Sequence, residues 1–115
     1  SDFEEVYQKQ ASLLVSDGSE FVYVKGKVTS VDKNMIEYVP YVFNKLGTDK
    51  HFTLIQQSTK FYTIQNAGRI NIEHAKIESD ATTVKVDDEI LVVVDKNANP
   101  LQENTIATEI IVVNK

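Results

Sequence analysis

Apolar and polar positions alternate with a period of two along most of this chain, the signature of half-buried β-strands. From Glu20 to Val31, Val22, Val24 and Val28 fall on one face and Phe21, Tyr23 and Val31 on the other, so the pattern predicts a long first strand. Gly26 interrupts it, and an interior glycine marks a sharp bend or bulge where one strand serves two sheets. Asp32-Lys33-Asn34 reads as a turn and Met35 to Phe43 as a second strand, with Pro40 placing it at an edge or at a bulge. Asn44 to Lys50 is a loop. His51 to Gln57 forms a third strand, broken at Ser58-Thr59 and resumed from Lys60 to Ile64. Ile90 to Val94 is apolar on both faces, which predicts a central, buried strand within Glu89–Asp95. Thr105 to Val113 closes the chain as a last strand.

The first fourteen residues follow another period. Phe3, Val6, Tyr7 and Leu14 recur at helical spacing, with acids early and Lys9 late, so a short amphipathic helix is expected over about 2–13. Ser16-Asp17-Gly18-Ser19 then breaks the chain. The division is therefore 1–19, helix and linker, and 20–115, a β domain. The helix either packs over an open end of that domain or tethers it to a membrane anchor. Asn66-Ala67-Gly68 is a turn. Ile70 and Ile72 alternate like a short strand, Ala75 and Ile77 fit a turn of helix, and Thr83 to Val86 leads into Asp87-Asp88. Five or six strands at this spacing, led by a long glycine-bent one and continued as a meander, favour a small all-β, OB-like barrel.

Composition agrees with a single β domain. Of the 115 residues, about a fifth are Val or Ile, β-branched side chains that pack well on pleated sheets. Hydrophobic residues at 42% and charged residues at 25% are ordinary globular values. The absence of cysteine excludes disulfides, thiolate metal sites and a cysteine nucleophile. A net charge of −5, with Arg69 the one arginine among twelve basic residues, argues against a protein devoted to nucleic-acid phosphates or anionic lipid. No apolar run reaches the roughly 20 residues that span a bilayer.

Several segments carry a more specific resemblance. Gly26-Lys27-Val28-Thr29-Ser30-Val31-Asp32 comes first, then Ser58-Thr59-Lys60-Phe61. Val84-Lys85-Val86-Asp87-Asp88-Glu89-Ile90 and Ala107-Thr108-Glu109-Ile110 complete the series. Across about residues 20–113 the chain resembles the small OB-like β-barrel domains of bacterial secreted proteins and lipoproteins, many of them domains of unknown function. Their pattern is a G-x-V-x-x-V/I-D opening strand that pairs with a T-x-F/I segment, an L-K-V-G-D-x-V hairpin and a closing A-x-x-I strand. Asp87 stands where that pattern has glycine, and Asp is one of the few other residues that tolerate a left-handed turn. The link over residues 66–80 is longer than usual. The resemblance implies an extracytoplasmic, non-catalytic module and brings no active-site residues with it.

Candidate chemistry is sparse. His51 and His74, with Asp49 or Glu73, are far apart for a zinc site, so no metal and no cofactor are expected. Asp87-Asp88-Glu89 lacks the spaced oxygens of a calcium loop and reads as a solvated turn. No G-x-S-x-G elbow, Walker loop or H-E-x-x-H motif is present, and no carboxylate pair is singled out by spacing, so no enzyme activity is expected. Aromatic residues offer more. Tyr23, Lys25 and Lys27 share one face of the first strand, and Tyr41 and Phe43 share one face of the second. OB barrels bind single strands or sugars on such aromatic platforms. Tyr23, Lys25, Tyr41 and Phe43 are the candidate ligand-binding residues. Their expected partner is a protein or glycan, with single-stranded nucleic acid, bound by stacking, as the alternative.

Overall fold

A computed structural model describes residues 21–42, 45–65, 76–95 and 104–113. The expected helix over 2–13, its linker to residue 19, Phe43, the turn at 66–68 and the loop at 97–100 lie outside the described residues. The described chain is mostly β: β1 (Phe21–Asp32), β2 (Met35–Val42), β3 (Lys45–Leu46), β4 (His51–Leu54), β5 (Lys60–Ile64), β6 (Ile77–Ser79), β7 (Glu89–Asp95), β8 (Asn104–Ile106) and β9 (Glu109–Val113). They form one mixed sheet in the order β6-β5-β9-β7-β1-β2-β4-β8, with β3 paired to β2. The all-β expectation holds, but nine segments replace the expected five or six strands. The increase has local causes. The third strand is interrupted ahead of Lys60, as its sequence predicts, and the last expected strand is interrupted as well, between Ile106 and Glu109. Leu46 and Ile77 fall in short strands where the sequence suggested a loop and a helical turn. A 3-10 turn, Ala81–Thr83, follows β6, and the Asp80 carboxylate caps it by accepting from the Thr82 amide at 2.9 Å.

The first strand serves two neighbours. Its first half pairs antiparallel with β7 from Phe21 to Lys27, and its second half with β2 from Gly26 to Asp32. Gly26 lies opposite both Pro40 and Ile90. A β-carbon at position 26 would sit 2.5 Å from Cδ2 of Tyr38 and 3.0 Å from the Val39 carbonyl oxygen. Close approach by a neighbouring ring is thus what demands glycine here. The register irregularity itself falls between Val28 and Ser30 rather than at the glycine. β2 is not an edge strand: it pairs with β1 on one side and with β4 and β3 on the other. Proline is tolerated because the β4 ladder ends at Tyr38 and the β3 ladder begins at Tyr41, so the missing Pro40 N–H falls between them.

The turn before β7 joins two of the resembling segments. The Asp88 amide donates to the Lys85 carbonyl at 3.1 Å, and Asp87, third in that turn, has φ 74°. This is the position where a type II turn needs positive φ. Both backbone groups of Val28 hold the turn against β1: its amide donates to the Asp88 carbonyl and its carbonyl accepts from the Asp87 amide, each at 2.9 Å. Asp87→Gly is expected to be neutral or to stabilise by up to about 1 kcal/mol, and Asp87→Val to destabilise by about 1–2 kcal/mol. Urea unfolding of the two variants checks the opposite signs.

The resemblance implied that the opening strand pairs with the Thr59 segment. The structure corrects this: β1 pairs with β2 and β7, and β5 pairs with β9 and β6. Thr59 instead meets the closing Ala107 segment. Its hydroxyl accepts from the Gln56 amide at 2.9 Å and donates to the buried Ala107 carbonyl at 2.8 Å. The Lys60 amide donates to the Thr108 carbonyl at 3.0 Å, and the Ala107 amide to the Leu54 carbonyl at 3.3 Å. The breaks between β4 and β5 and between β8 and β9 therefore lie side by side and are laced together.

Two apolar clusters flank the sheet. Val24, Val28, Ile36, Tyr38, Val84, Ile90, Val92, Val94, Ile110 and Val112 pack on one face. Tyr23, Ile64, Leu91, Val93 and Ile111 pack on the other. β7 supplies both, so its Ile90–Val94 run is buried on both faces, as its continuous apolar pattern requires. Burial raises the Tyr38 phenol from 10.0 to about 12, with the neighbouring Thr105 hydroxyl pulling it partly back. The unfolded chain ionises this phenol at about 10 and the folded one near 12. The folded state thus holds more protons in that window, and stability falls as pH rises through it. The expected loss, which grows from about pH 10 and levels off above the folded value, is about 2–3 kcal/mol. Unfolding free energies measured below and above this window check it. Tyr38→Phe is expected to reduce the loss, and an equal loss in that variant defeats the assignment.

Candidate binding face

Three strands bring one surface group together. Lys25 on β1, Tyr41 on β2 and Glu89 at the start of β7 lie far apart in sequence and meet through the two ladders of β1. The β1–β2 register places Gly26 opposite Pro40, so Lys25 and Tyr41 are neighbours across the pair. The β1–β7 register sets Lys27 opposite Glu89, one alternation from Lys25. The Tyr41 hydroxyl donates to Glu89 Oε1 at 3.1 Å. Lys25 Nζ lies 3.7 Å from Glu89 Oε2 and 5.3 Å from the centroid of the Tyr41 ring. The Lys25 and Glu89 side chains are 39% and 38% exposed, so solvent and ligands reach the group.

These contacts contribute little to stability. A half-exposed ion pair contributes at most about 1 kcal/mol, and an exposed cation–π contact about 0.5–1 kcal/mol. Burial, then the hydrogen bond and the negative charge of Glu89, raise the Tyr41 phenol above its ordinary value, so it remains a neutral donor at physiological pH. The group offers an aromatic ring, carboxylate oxygens and an ammonium within one patch. Such a patch complements ligands that combine hydroxyl or amide groups with apolar C–H faces.

The expected site residues divide. Lys25 and Tyr41 are brought together. Tyr23 is 2% exposed and packs with Leu91, Val93 and Ile111 instead of presenting its ring. Phe43 lies outside the described residues. Glu89 joins the group although its sequence context reads as a solvated acidic turn. Only the β1–β7 register would have found it. Its neighbours Asp87 and Asp88 do build that turn, the Asp88 carboxylate accepting from the Lys85 amide at 2.8 Å.

Other surfaces are simpler. On the outer side of β2, β4 and β8, Met35, Leu54 and Ile106 stand in one register row, with Leu54 and Ile106 exposed. Lys76 donates to Glu109 Oε1 at 2.9 Å and lies 4.5 Å from the Tyr62 ring centroid, a contact that ties the start of β6 to β5 and β9. His51 sits opposite Tyr38, with ring centroids 6.0 Å apart, and His74 is outside the described residues. Among the described residues, no group of three or more His, Cys, Asp or Glu side chains is placed to hold a metal ion. No helix among them is long and apolar enough to cross a membrane. No protein-family model, curated protein or solved structure matches the chain.

Proposed function

We propose that this chain is a non-catalytic binding or assembly module of a bacterial secreted or cell-envelope protein, built on an OB-like barrel. The barrel reading draws support from the pairings taken in sequence. β1 pairs with β2, β2 with β4, and β4 in parallel with β8. After Ala107-Thr108 the chain continues as β9, which pairs with β7, and β7 returns to β1. A long first strand that pairs with β7 through its first half and with β2 through its second is what such a barrel needs. The extracytoplasmic placement rests on the resemblance of the Gly26–Asp32, Thr59–Phe61, Val84–Ile90 and Ala107–Ile110 segments.

The observation that carries the binding reading is the half-exposed Lys25–Tyr41–Glu89 group. Its charges are mutually balanced and its ring is held in place, so it binds without first reorganising. A glycan or an extended peptide is the ligand class that uses a ring, a carboxylate and an ammonium together. Glu89, hydrogen-bonded to the only described candidate ring that reaches solvent, repels phosphates and disfavours nucleic acid.

Intrinsic tyrosine fluorescence is the natural probe, since the chain has five tyrosines and no tryptophan. Titration with neutral oligosaccharides and with uncharged extended peptides is expected to give a saturable response in one series. Tyr41→Ala should weaken it at least tenfold. A single-stranded oligonucleotide is expected to give none at low or moderate salt. Salt-sensitive oligonucleotide binding that is lost in Tyr41→Ala would instead make this a nucleic-acid domain. A turnover abolished by one carboxylate substitution would overturn the non-catalytic reading.

A further inference from the structure

Ile36 on β2, Thr53 on β4 and Thr105 on β8 form one register row on the inner face of the sheet. Thr53 is 0% exposed and Thr105 is 6% exposed. Neither Oγ1 has a hydrogen-bond partner among the described residues. The Tyr38 phenol lies close enough to the Thr105 hydroxyl to be influenced by it, although the contact falls short of a well-formed hydrogen bond. Thr53 and Thr105 are thus paired across β4 and β8, with the Tyr38 phenol beside Thr105, and Ile36 and Tyr38 belong to the apolar cluster on one face of the sheet.

We propose that Thr53, Thr105 and Tyr38 form an internal binding site for one structural water molecule. Buried polar groups are almost always hydrogen-bonded, and leaving one unpaired costs much of its hydration. Adjacent strands lie about 4.8 Å apart, so side chains paired across them are separated by about that distance. A water making two bonds of about 2.8 Å at a tetrahedral angle spans about 4.6 Å, which matches that separation. With the phenol as a third partner, the water has the three contacts typical of buried waters. It bridges β4 and β8, whose parallel ladder spans the three residues of β8. It therefore adds a link to a short backbone pairing, and its exchange with solvent reports the parting of β8 from β4.

The test uses the intact chain. A long-lived water cross-relaxing with the Thr53 and Thr105 side chains in NMR, or an ordered water within hydrogen-bond distance of both Oγ1 atoms in a high-resolution crystal structure, is the expected result. The melting temperature reads the same question with opposite signs. Thr53→Val keeps the shape and removes one water ligand, so the melting temperature should fall, and Thr53→Ser should retain it. Adding Thr105→Val should cost less than it does alone, because both variants disturb the same molecule. No water signal in the unaltered chain, or a melting temperature that rises in Thr53→Val, would overturn the proposal. A rise is what removing a partnerless hydroxyl produces.

Discussion

Gly26→Ala is expected to cost about 2–4 kcal/mol of folding stability. The added β-carbon would lie 2.5 Å from Tyr38 Cδ2 and 3.0 Å from the Val39 carbonyl oxygen. Tyr38 is 1% exposed and packs in the inner cluster, so its ring has nowhere to move without displacing that cluster. Overpacking a well-filled interior costs typically about 1–3 kcal/mol, and here a strand-to-strand contact must widen as well. The opposing gain, from reducing the unfolded chain's freedom, is about 0.4–1 kcal/mol. The clash therefore decides the sign. With total stabilities of about 5–15 kcal/mol for such domains, a large share is lost. Urea unfolding measures it directly. Combining Gly26→Ala with Tyr38→Ala, which opens the space, should give a cost well below the sum of the two single changes. Strict additivity, or a Gly26→Ala variant as stable as the parent, would show that the Tyr38 ring does not press on this glycine.

Thr59→Val is expected to cost about 2 kcal/mol. The change preserves side-chain shape, so its effect is that of the hydroxyl. The Ala107 carbonyl then loses the donor that holds it at 2.8 Å. Ala107 is buried, and an unpaired buried acceptor costs about 1–3 kcal/mol. The Gln56 amide also loses its acceptor, but Gln56 is exposed and water replaces most of that bond. Because the lacing spans both strand interruptions, the loss should be local as well as global. Amide hydrogen exchange at Lys60 and Ala107 is expected to accelerate more than exchange in the β1–β7 ladder. Thr59→Ser, which keeps the hydroxyl, should stay within about 1 kcal/mol of the parent. An unchanged Thr59→Val stability, or uniform acceleration across the sheet, would remove this bond from the set that holds β5 to the β8–β9 junction.

Both predictions rest on residues that the sequence marks but does not explain. Gly26 reads as a bend, yet the reason it must be glycine is the Tyr38 ring on the next strand. Thr59 and Ala107 belong to separate resembling segments, and only the structure joins them by a hydrogen bond. The site divides in the same way. Lys25 and Tyr41 are visible as polar and aromatic positions on adjacent predicted strands. Glu89 is not, because nothing near it in sequence indicates a tyrosine 48 residues away.

What the sequence determined by itself is what depends on near neighbours. Alternating β-branched residues specify strands and their two faces. The unbroken Ile90–Val94 run specifies a strand buried on both sides, and Asp87 accepts the positive φ of its turn. Tertiary structure decided which strands lie side by side, in what register and over which cluster. The parallel pairings of β4 with β8 and β5 with β9 join segments about fifty residues apart. Tyr23 and Lys25 share a face by alternation, yet one is buried against Leu91 and the other reaches solvent. A period of two assigns a side chain to a face. Whether that face is covered, and whose carboxylate arrives there, follows from how distant strands pair.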